Sequence, residues 1–233
     1  MAKAFRDEGL CVSFTEPLML FEYSVDVFKL SKTEGLYNTY VSNGYMTTEA
    51  LRTLKESGLD ALKVDVKGDR EVYRRYCAAP SDEPVWNTLR EAKKLGLHVE
   101  VVNLVVTGVN DEEYQFRELA KKVVKELGPY TPIHFTRYHP AFKFRAPPTK
   151  VETLEQAYKV AVEEGAKYVY LGNVPGHRYE NTYCHECGEL VIARRGFRMV
   201  KCRLIEGNRC PRCKTKLPIT GRCIAKPVRS FLV

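Results

Sequence analysis

With 233 residues, 44% of them hydrophobic, the chain can bury a sizeable core, which excludes a wholly disordered polypeptide. It has no run of about 18 apolar residues and no charged-then-apolar leader, so it reads as soluble and cytoplasmic with no membrane partner. The net charge of +8 is unevenly placed: residues 179–233 hold 12 Lys and Arg against 4 Asp and Glu, leaving residues 1–178 neutral.

That asymmetry predicts two domains, 1–178 and a basic module at 179–233. In chain order, MAKAFRDEG opens as a helical fragment without a cap, Ala4 and Phe5 lying on its apolar stripe. Gly9, Gly35, Gly58, Gly96, Gly128 and Gly165 then each close a polar helix and introduce a short apolar strand. Phe116, Leu119, Ala120, Val123, Val124 and Leu127 recur at helical spacing. Asn110 with Glu113, and Thr149 with Glu152, read as capping boxes for the two helices that follow. Strand and helix alternating in this way mean a parallel α/β fold. No Gly-x-Gly-x-x-Gly follows a strand, so a barrel-like curve of strands is favoured over an open Rossmann-like sheet.

Polar residues gather where each strand ends. The first runs into Ser13, Thr15 and Glu16, the second into Ser42 and Asn43, and the third into Asp65 and Lys67. Thr107 and Asn110 follow the fourth, His134, Arg137 and His139 belong to the fifth, and Asn173 and His177 to the sixth. In a parallel barrel these ends share one face, where such folds build their sites.

The phrases SFTEP, VSNGY, VDVKG, LVVTGVND, HFTRYHP and YVYLGNVPGH, in this order, resemble the radical S-adenosylmethionine (SAM) enzymes. Within them the chain is similar to the pyruvate formate-lyase activase-like branch, and specifically to the AmmeMemoRadiSam system family. The resemblance implies a partial TIM-like barrel that binds SAM and a substrate it does not name. It also implies a [4Fe–4S] cluster held by a C-x3-C-x2-C loop, whose electron breaks a carbon–sulfur bond of SAM to start radical chemistry. No such cysteine spacing exists here, and the cluster loop would precede the helix that Met1 interrupts. The chain is therefore expected to be a truncated or mis-started member that does not itself cleave SAM.

By the same resemblance, Phe14-Thr15-Glu16 stands in place of the family's Gly-Gly-Glu, with Glu16 toward the SAM amino group. Ser42 and Asn43 match residues near its ribose or carboxylate, Lys67 one near its carboxylate, and His139 one near the sugar or adenine. Asp65 joins this cofactor set, while His134, Arg137, Asn173 and His177 are candidates for the substrate face. Plainer readings stand beside these. Glu16 before Pro17 also fits a helix cap, Ser42-Asn43-Gly44 a turn, and Asp65 with Lys67 a structural ion pair. His134 and Arg137 lie on opposite faces of a strand, so at most one points into the site.

Cys184, Cys187, Cys210 and Cys213 form two Cys-x-x-Cys knuckles flanking LVIARRGFRMVKCRLIEG, which reads as a β-hairpin. Two knuckles supply the four thiolates zinc prefers, with rubredoxin-like iron as the alternative. Without a secretory signal, the cysteines of this segment argue for metal rather than disulfides. Cys202 and Cys223 are left as buried small residues or spare thiols, and His185 inside the first knuckle is a minor ligand candidate. Two further functions stay open: a Schiff-base barrel using Lys67, and an inert barrel whose basic ribbon binds nucleic acid or an acidic protein.

Overall fold

The computed structural model describes residues 2, 4, 7–196, 198–221 and 223. The predicted opening helix rests on Met1, Lys3, Phe5 and Arg6, which lie outside the described residues. Six parallel strands form one sheet in sequential order: β1 Gly9–Val12, β2 Tyr37–Ser42, β3 Ala61–Asp65, β4 His98–Val105, β5 Ile133–Arg137 and β6 Val169–Gly172. Between them run α1 Phe21–Thr33, α2 Thr48–Glu56, α3 Arg70–Tyr76, α4 Glu83–Lys94, α5 Glu113–Leu127 and α6 Val151–Glu163. Sequential order with right-handed crossovers puts every helix on one face and curls the sheet as part of a barrel.

Burial alternates along the strands accordingly. Leu62, Val64, Val99, Val101, Ile133, Phe135, Val169 and Leu171 face the helices and belong to one continuous core. The predicted apolar face of α5 packs there, with Phe116 edge-on to Phe135 at 5.6 Å between ring centres. The opposite parity (Lys63, Asp65, His98, Glu100, His134, Thr136, Tyr170) is only half-buried and lines the inner face.

Five of the six punctuating glycines hold positive φ, the conformation that ends a helix. Gly9 is the exception: it already lies in β1, and a Cβ there would stand 2.5 Å from Tyr37, so it is small for close packing. Both expected capping boxes are corrected. The box opening α5 is made by Glu112 and Gln115, because the Asn110 side chain is otherwise engaged. It accepts from the Val106 amide at 2.7 Å and donates to the Lys67 and Leu104 carbonyls at 2.7 and 2.9 Å. Thr149 does not cap α6 either; its hydroxyl donates to the Val105 carbonyl at 2.6 Å, tying the connection to the end of β4.

A second, antiparallel sheet follows: β7 Thr182–Tyr183, β8 Leu190–Arg195 and β9 Arg198–Cys202, the last two being the predicted hairpin. Its small core holds Cys184, Val191, Ile192, Cys210 and Leu217, apart from the main one. The first knuckle seats at the start of β5 and β6, where His185 accepts or donates at 2.8 Å to the Tyr168 hydroxyl and packs on Tyr130. Pro218 and Thr220 share a cleft with His98 and Tyr130, so this ribbon covers the N-terminal end of the sheet. Beyond the C-terminal strand ends, Phe14, Asn43 and Phe142 are exposed.

Candidate active site and metal centre

After β1 the chain turns through Phe14 and Thr15, both in the left-handed region at φ 70° and 52°. Side chains rarely adopt that conformation, and each residue held there costs about 1–2 kcal/mol relative to its right-handed counterpart. The turn delivers Glu16 to the end of β2. One carboxylate oxygen, Oε1, accepts from the Leu18 amide at 3.2 Å and the Ser42 hydroxyl at 2.7 Å; the other, Oε2, accepts from the Asn43 amide at 2.7 Å. Glu16 thus caps the short 3-10 turn at Pro17–Leu20, as the plainer reading expected. Yet an ionised carboxylate has about four acceptor positions, so Oε2 keeps one open.

Ser42 is buried and fully used, donating to Glu16 and accepting from the Gly44 amide at 3.0 Å, so it positions the carboxylate. Asn43 is exposed, and its side-chain carbonyl accepts from the Tyr45 amide at 2.8 Å. Lys67 donates from Nζ to Asp65 Oδ2 at 2.8 Å in a half-exposed pair. The Lys67 backbone is pinned on both sides, its amide to the Tyr73 hydroxyl at 3.2 Å and its carbonyl to Asn110. Asn110, read from sequence as a cap, is the buried post that holds this strand end.

Deeper on the inner face, Glu100 accepts from His98 and His134 at 3.0 and 2.9 Å. Burial alone would raise its pKa, but the two imidazole hydrogen bonds outweigh that and hold the carboxyl well below the usual range. His134 stacks on Tyr170 at 5.0 Å, and the Tyr170 hydroxyl meets Thr182 of β7 at 3.0 Å. The alternating His98-Val99-Glu100 was the signal for this row, and the sequence reading passed over it.

Of the substrate-face candidates, His134 is the one on the inner face. Arg137 takes the other face, its Nε donating to the Thr149 carbonyl at 2.8 Å. Asn173, at φ 59°, donates to the Arg137 carbonyl at 3.0 Å and so ties β6 to β5. His177 is turned to α6, meeting Glu155 at 3.1 Å and capping the turn at Arg178–Glu180. His139 is exposed on the connection after β5.

The radical SAM superfamily pattern matches residues 1–120. The chain belongs to the radical SAM superfamily. It is 43% identical over 213 residues to an uncharacterized protein of Methanocaldococcus jannaschii, covering 91% of this chain and 63% of that one. The chain thus spans under two thirds of that relative's length. In fold it is similar to a domain of pyruvate-formate lyase-activating enzyme from Bacteroides vulgatus, at 19% identity and TM-score 0.61 over 71% of this chain and 99% of that domain. Streptococcus suis SuiB bound to SAM is a further fold neighbour, at 10% identity and TM-score 0.59 over 79% of this chain and 44% of that one.

The residues present do not fit the superfamily's cluster. Cys11 and Cys77 are separately placed and exposed, and no three cysteines of the sequence carry the C-x3-C-x2-C spacing. A tetrahedral metal centre fits the other end of the molecule. The sulfurs of Cys184, Cys187, Cys210 and Cys213 all lie within 4.8 Å of one another. Cys184 to Cys213 is 3.5 Å and Cys187 to Cys210 is 3.6 Å, near the spacing of about 3.8 Å that zinc–sulfur bonds of about 2.3 Å impose. The Thr215 hydroxyl and amide hold the Cys213 thiol down to about 6. Burial pushes the Cys184 thiol up, and at Cys187 the Glu189 backbone is outweighed by desolvation and the neighbouring sulfurs, which push that thiol up to about 12. The four sulfurs therefore do not all favour the thiolate in the absence of a metal.

One expectation for this segment is overturned. Cys202 and Cys223 are neither buried fillers nor spare thiols; they form a disulfide, which clamps β9 to the following chain. His185 is occupied by Tyr168 and the neighbouring ring of Tyr130, outside the four-sulfur set. Several ribbon arginines are spent internally, Arg194 on Thr182, Arg203 on Glu189 and Arg209 on the Lys214 carbonyl.

Among the described residues, no helix is long and apolar enough to cross a membrane.

Proposed function

We propose that this chain carries the SAM-binding part of a radical SAM enzyme of the AmmeMemoRadiSam type, on the strand-end face. The observation that carries this is the Glu16 turn. Phe14 and Thr15 keep the left-handed backbone that a Gly-Gly pair would take without strain, and Glu16 is left with one unused acceptor on Oε2. That acceptor suits the SAM ammonium. Lys67, free to share its charge between Asp65 and a second carboxylate, suits the SAM carboxylate, and the exposed side chain of Asn43 suits a ribose hydroxyl. SAM supplies a carbon–sulfur bond that breaks on one-electron reduction, the chemistry from which the superfamily takes its name.

This chain's own residues orient that ligand. Ser42 and the Asn43 amide fix the carboxylate of Glu16, and Asn110 fixes the height of Lys67. On the inner face, His134 Nε2 and Glu100 Oε2 share a hydrogen bond, His134 in register with Asp65 through Val102 and Glu100 two residues beneath, and the pair would line the path of a substrate. At the ribbon, zinc is the proposed ion, four-coordinate and structural, with no open position for catalysis. A Schiff base at Lys67 gains no support, since its Nζ is engaged by a carboxylate rather than desolvated among apolar groups.

Calorimetric titration of SAM into the purified chain tests the reading. Binding that is weakened by Glu16→Gln and by Lys67→Ala is expected. A wild-type chain that takes up no SAM at millimolar concentration overturns it.

A further inference from the structure

At its rim, the strand-end face carries a second feature, apart from Glu16, Asn43 and Lys67. The connection from β5 to α6, residues 139–150, reads HPAFKFRAPPTK, with Lys143, Arg145 and Lys150 and no Asp or Glu. Its tip is a tight turn in which the Phe144 amide donates to the Ala141 carbonyl at 3.2 Å. Phe144 is seated in an aromatic corner, 6.1 Å from Tyr76 at the end of α3 and 5.8 Å from Tyr138 between ring centres. The Tyr138 hydroxyl donates to the Phe144 carbonyl at 3.1 Å and locks the tip.

Phe142 is different. It stands 82% exposed at φ 52°, a conformation strained for a bulky residue, and among the described residues its one ring contact is Lys143. Folding alone does not account for a large apolar ring held in water on a strained backbone. Two cations lie on rings of this rim: Lys143 Nζ is 5.3 Å from the Phe142 ring, and the Arg75 guanidinium 5.5 Å from the ring of Tyr76, which packs on Phe144. Among the described residues, no carboxylate pairs with Arg75, Lys143 or Arg145; the one helix pair nearby joins Arg74 to Glu71. Tyr73, one turn before Tyr76 in α3, accepts from the Lys67 amide at 3.2 Å. The rim is therefore contiguous with the proposed SAM face.

Two classes of anion suit exposed rings among unpaired cations, and ring geometry separates them. Single-stranded nucleic acid stacks successive bases on open, roughly parallel ring faces. Here the rings of Tyr76 and Phe144 are 88° apart and those of Tyr138 and Phe144 79° apart, which makes a wedge rather than a stacking platform. We propose that this rim docks an acidic polypeptide segment bearing a large apolar side chain, which meets Phe142 while its carboxylates meet Arg75, Lys143 and Arg145. Such a segment is the macromolecular substrate class of the proposed site, and the assignment rests on that reading only for the word substrate.

The test is fluorescence anisotropy with the purified full chain and three labelled probes: a Glu/Phe peptide, a Glu/Gly peptide of equal charge, and oligo(dT). The Glu/Phe peptide is expected to bind, the Glu/Gly peptide about tenfold more weakly, and oligo(dT) no better than the Glu/Gly peptide. Phe142→Gly removes both ring and strain, so it is expected to weaken the Glu/Phe peptide about tenfold while the melting temperature stays level or rises. The double substitution Lys143→Glu with Arg145→Glu abolishes binding of both peptides. Tighter binding of oligo(dT), or a Phe142→Gly protein that holds the Glu/Phe peptide as wild type does, overturns the proposal. Glu16→Gln is measured alongside: loss of SAM with retained peptide binding keeps the two readings separate, and peptide binding by a chain that takes no SAM sinks only the enzymatic one.

Discussion

Replacing Glu16 with Gln tests the strand-end site at its most constrained atom. The carboxylate accepts three hydrogen bonds, two on Oε1 and one on Oε2. Glutamine placed with its oxygen at Oε1 keeps the Leu18 and Ser42 bonds, but sets its NH₂ against the Asn43 amide, donor facing donor. Asn43 is exposed, so water replaces the lost partner and the stability loss sits at the low end, about 1 kcal/mol. The ligand feels more. An ammonium that loses an anionic acceptor forfeits a charge-assisted bond of about 1.5–3 kcal/mol, or about 10–100-fold in dissociation constant. Ser42→Ala removes a single positioning bond and is expected to cost SAM affinity about fivefold at most. Calorimetric titration of SAM, with thermal melts on the same samples, separates the two effects. A Gln variant that melts earlier yet binds SAM as tightly as wild type refutes the assignment and leaves Glu16 as a helix cap.

Thr15→Gly exchanges a left-handed strain of about 1–2 kcal/mol for a glycine entropy cost of about 0.5–1 kcal/mol. A gain of about 0.5 kcal/mol, read as a higher urea midpoint at unchanged slope, is expected. Cys202→Ser opens a crosslink across a sequence separation of 21 and is expected to remove about 3 kcal/mol from the ribbon, read as faster proteolysis of the β8–β9 hairpin under oxidising conditions. One zinc per chain is expected by elemental analysis; stripping it exposes all four knuckle thiols to a thiol reagent while the circular dichroism of the six-stranded sheet persists. Glu100 has a folded pKa below its ordinary 4.5, so its contribution is complete above that value and fades as pH falls beneath it. Glu100→Gln is therefore expected to melt earlier than wild type at neutral pH, with a flatter acid limb; parallel pH–melting curves would exclude the linkage.

Much of the fold was legible because its signals are local. A glycine that must take positive φ and a helix face at 3.6-residue spacing are written in a few adjacent residues, and Gly35, Gly58 and the α5 face follow those rules. The caps were not legible for the opposite reason. Asn110 and Thr149 are good capping residues by composition, but the carbonyls of Lys67, Leu104 and Val105 compete for them across the sheet and win. Such a competition depends on which strands become neighbours. The Cys202–Cys223 bond was missed through a rule about cellular compartment, which says nothing about how close a hairpin brings two thiols.

The site shows the same division. That Glu16, Ser42, Asn43, Asp65 and Lys67 lie at strand ends was legible because the strand ends of a parallel sheet share one face whatever the tertiary detail. His177 and Arg137 satisfy the same rule by position, yet their side chains are captured by Glu155 and the Thr149 carbonyl on the helical side. Glu100 and Tyr170 escaped notice because they lie in mid-strand, where the meaning of a polar residue depends on whether the inner face is filled. In a closed barrel it is filled by apolar layers. Here the face is half-buried and polar, and the ribbon reaches it from below through Thr182 and Arg194. The four-cysteine cluster therefore sits in the module that supports this inner face, at the end of the sheet opposite Glu16 and Lys67. The four candidate ligands all belong to the ribbon itself, so an ion bound there would act on the sheet through the seating of His185 and the Tyr170–Thr182 contact.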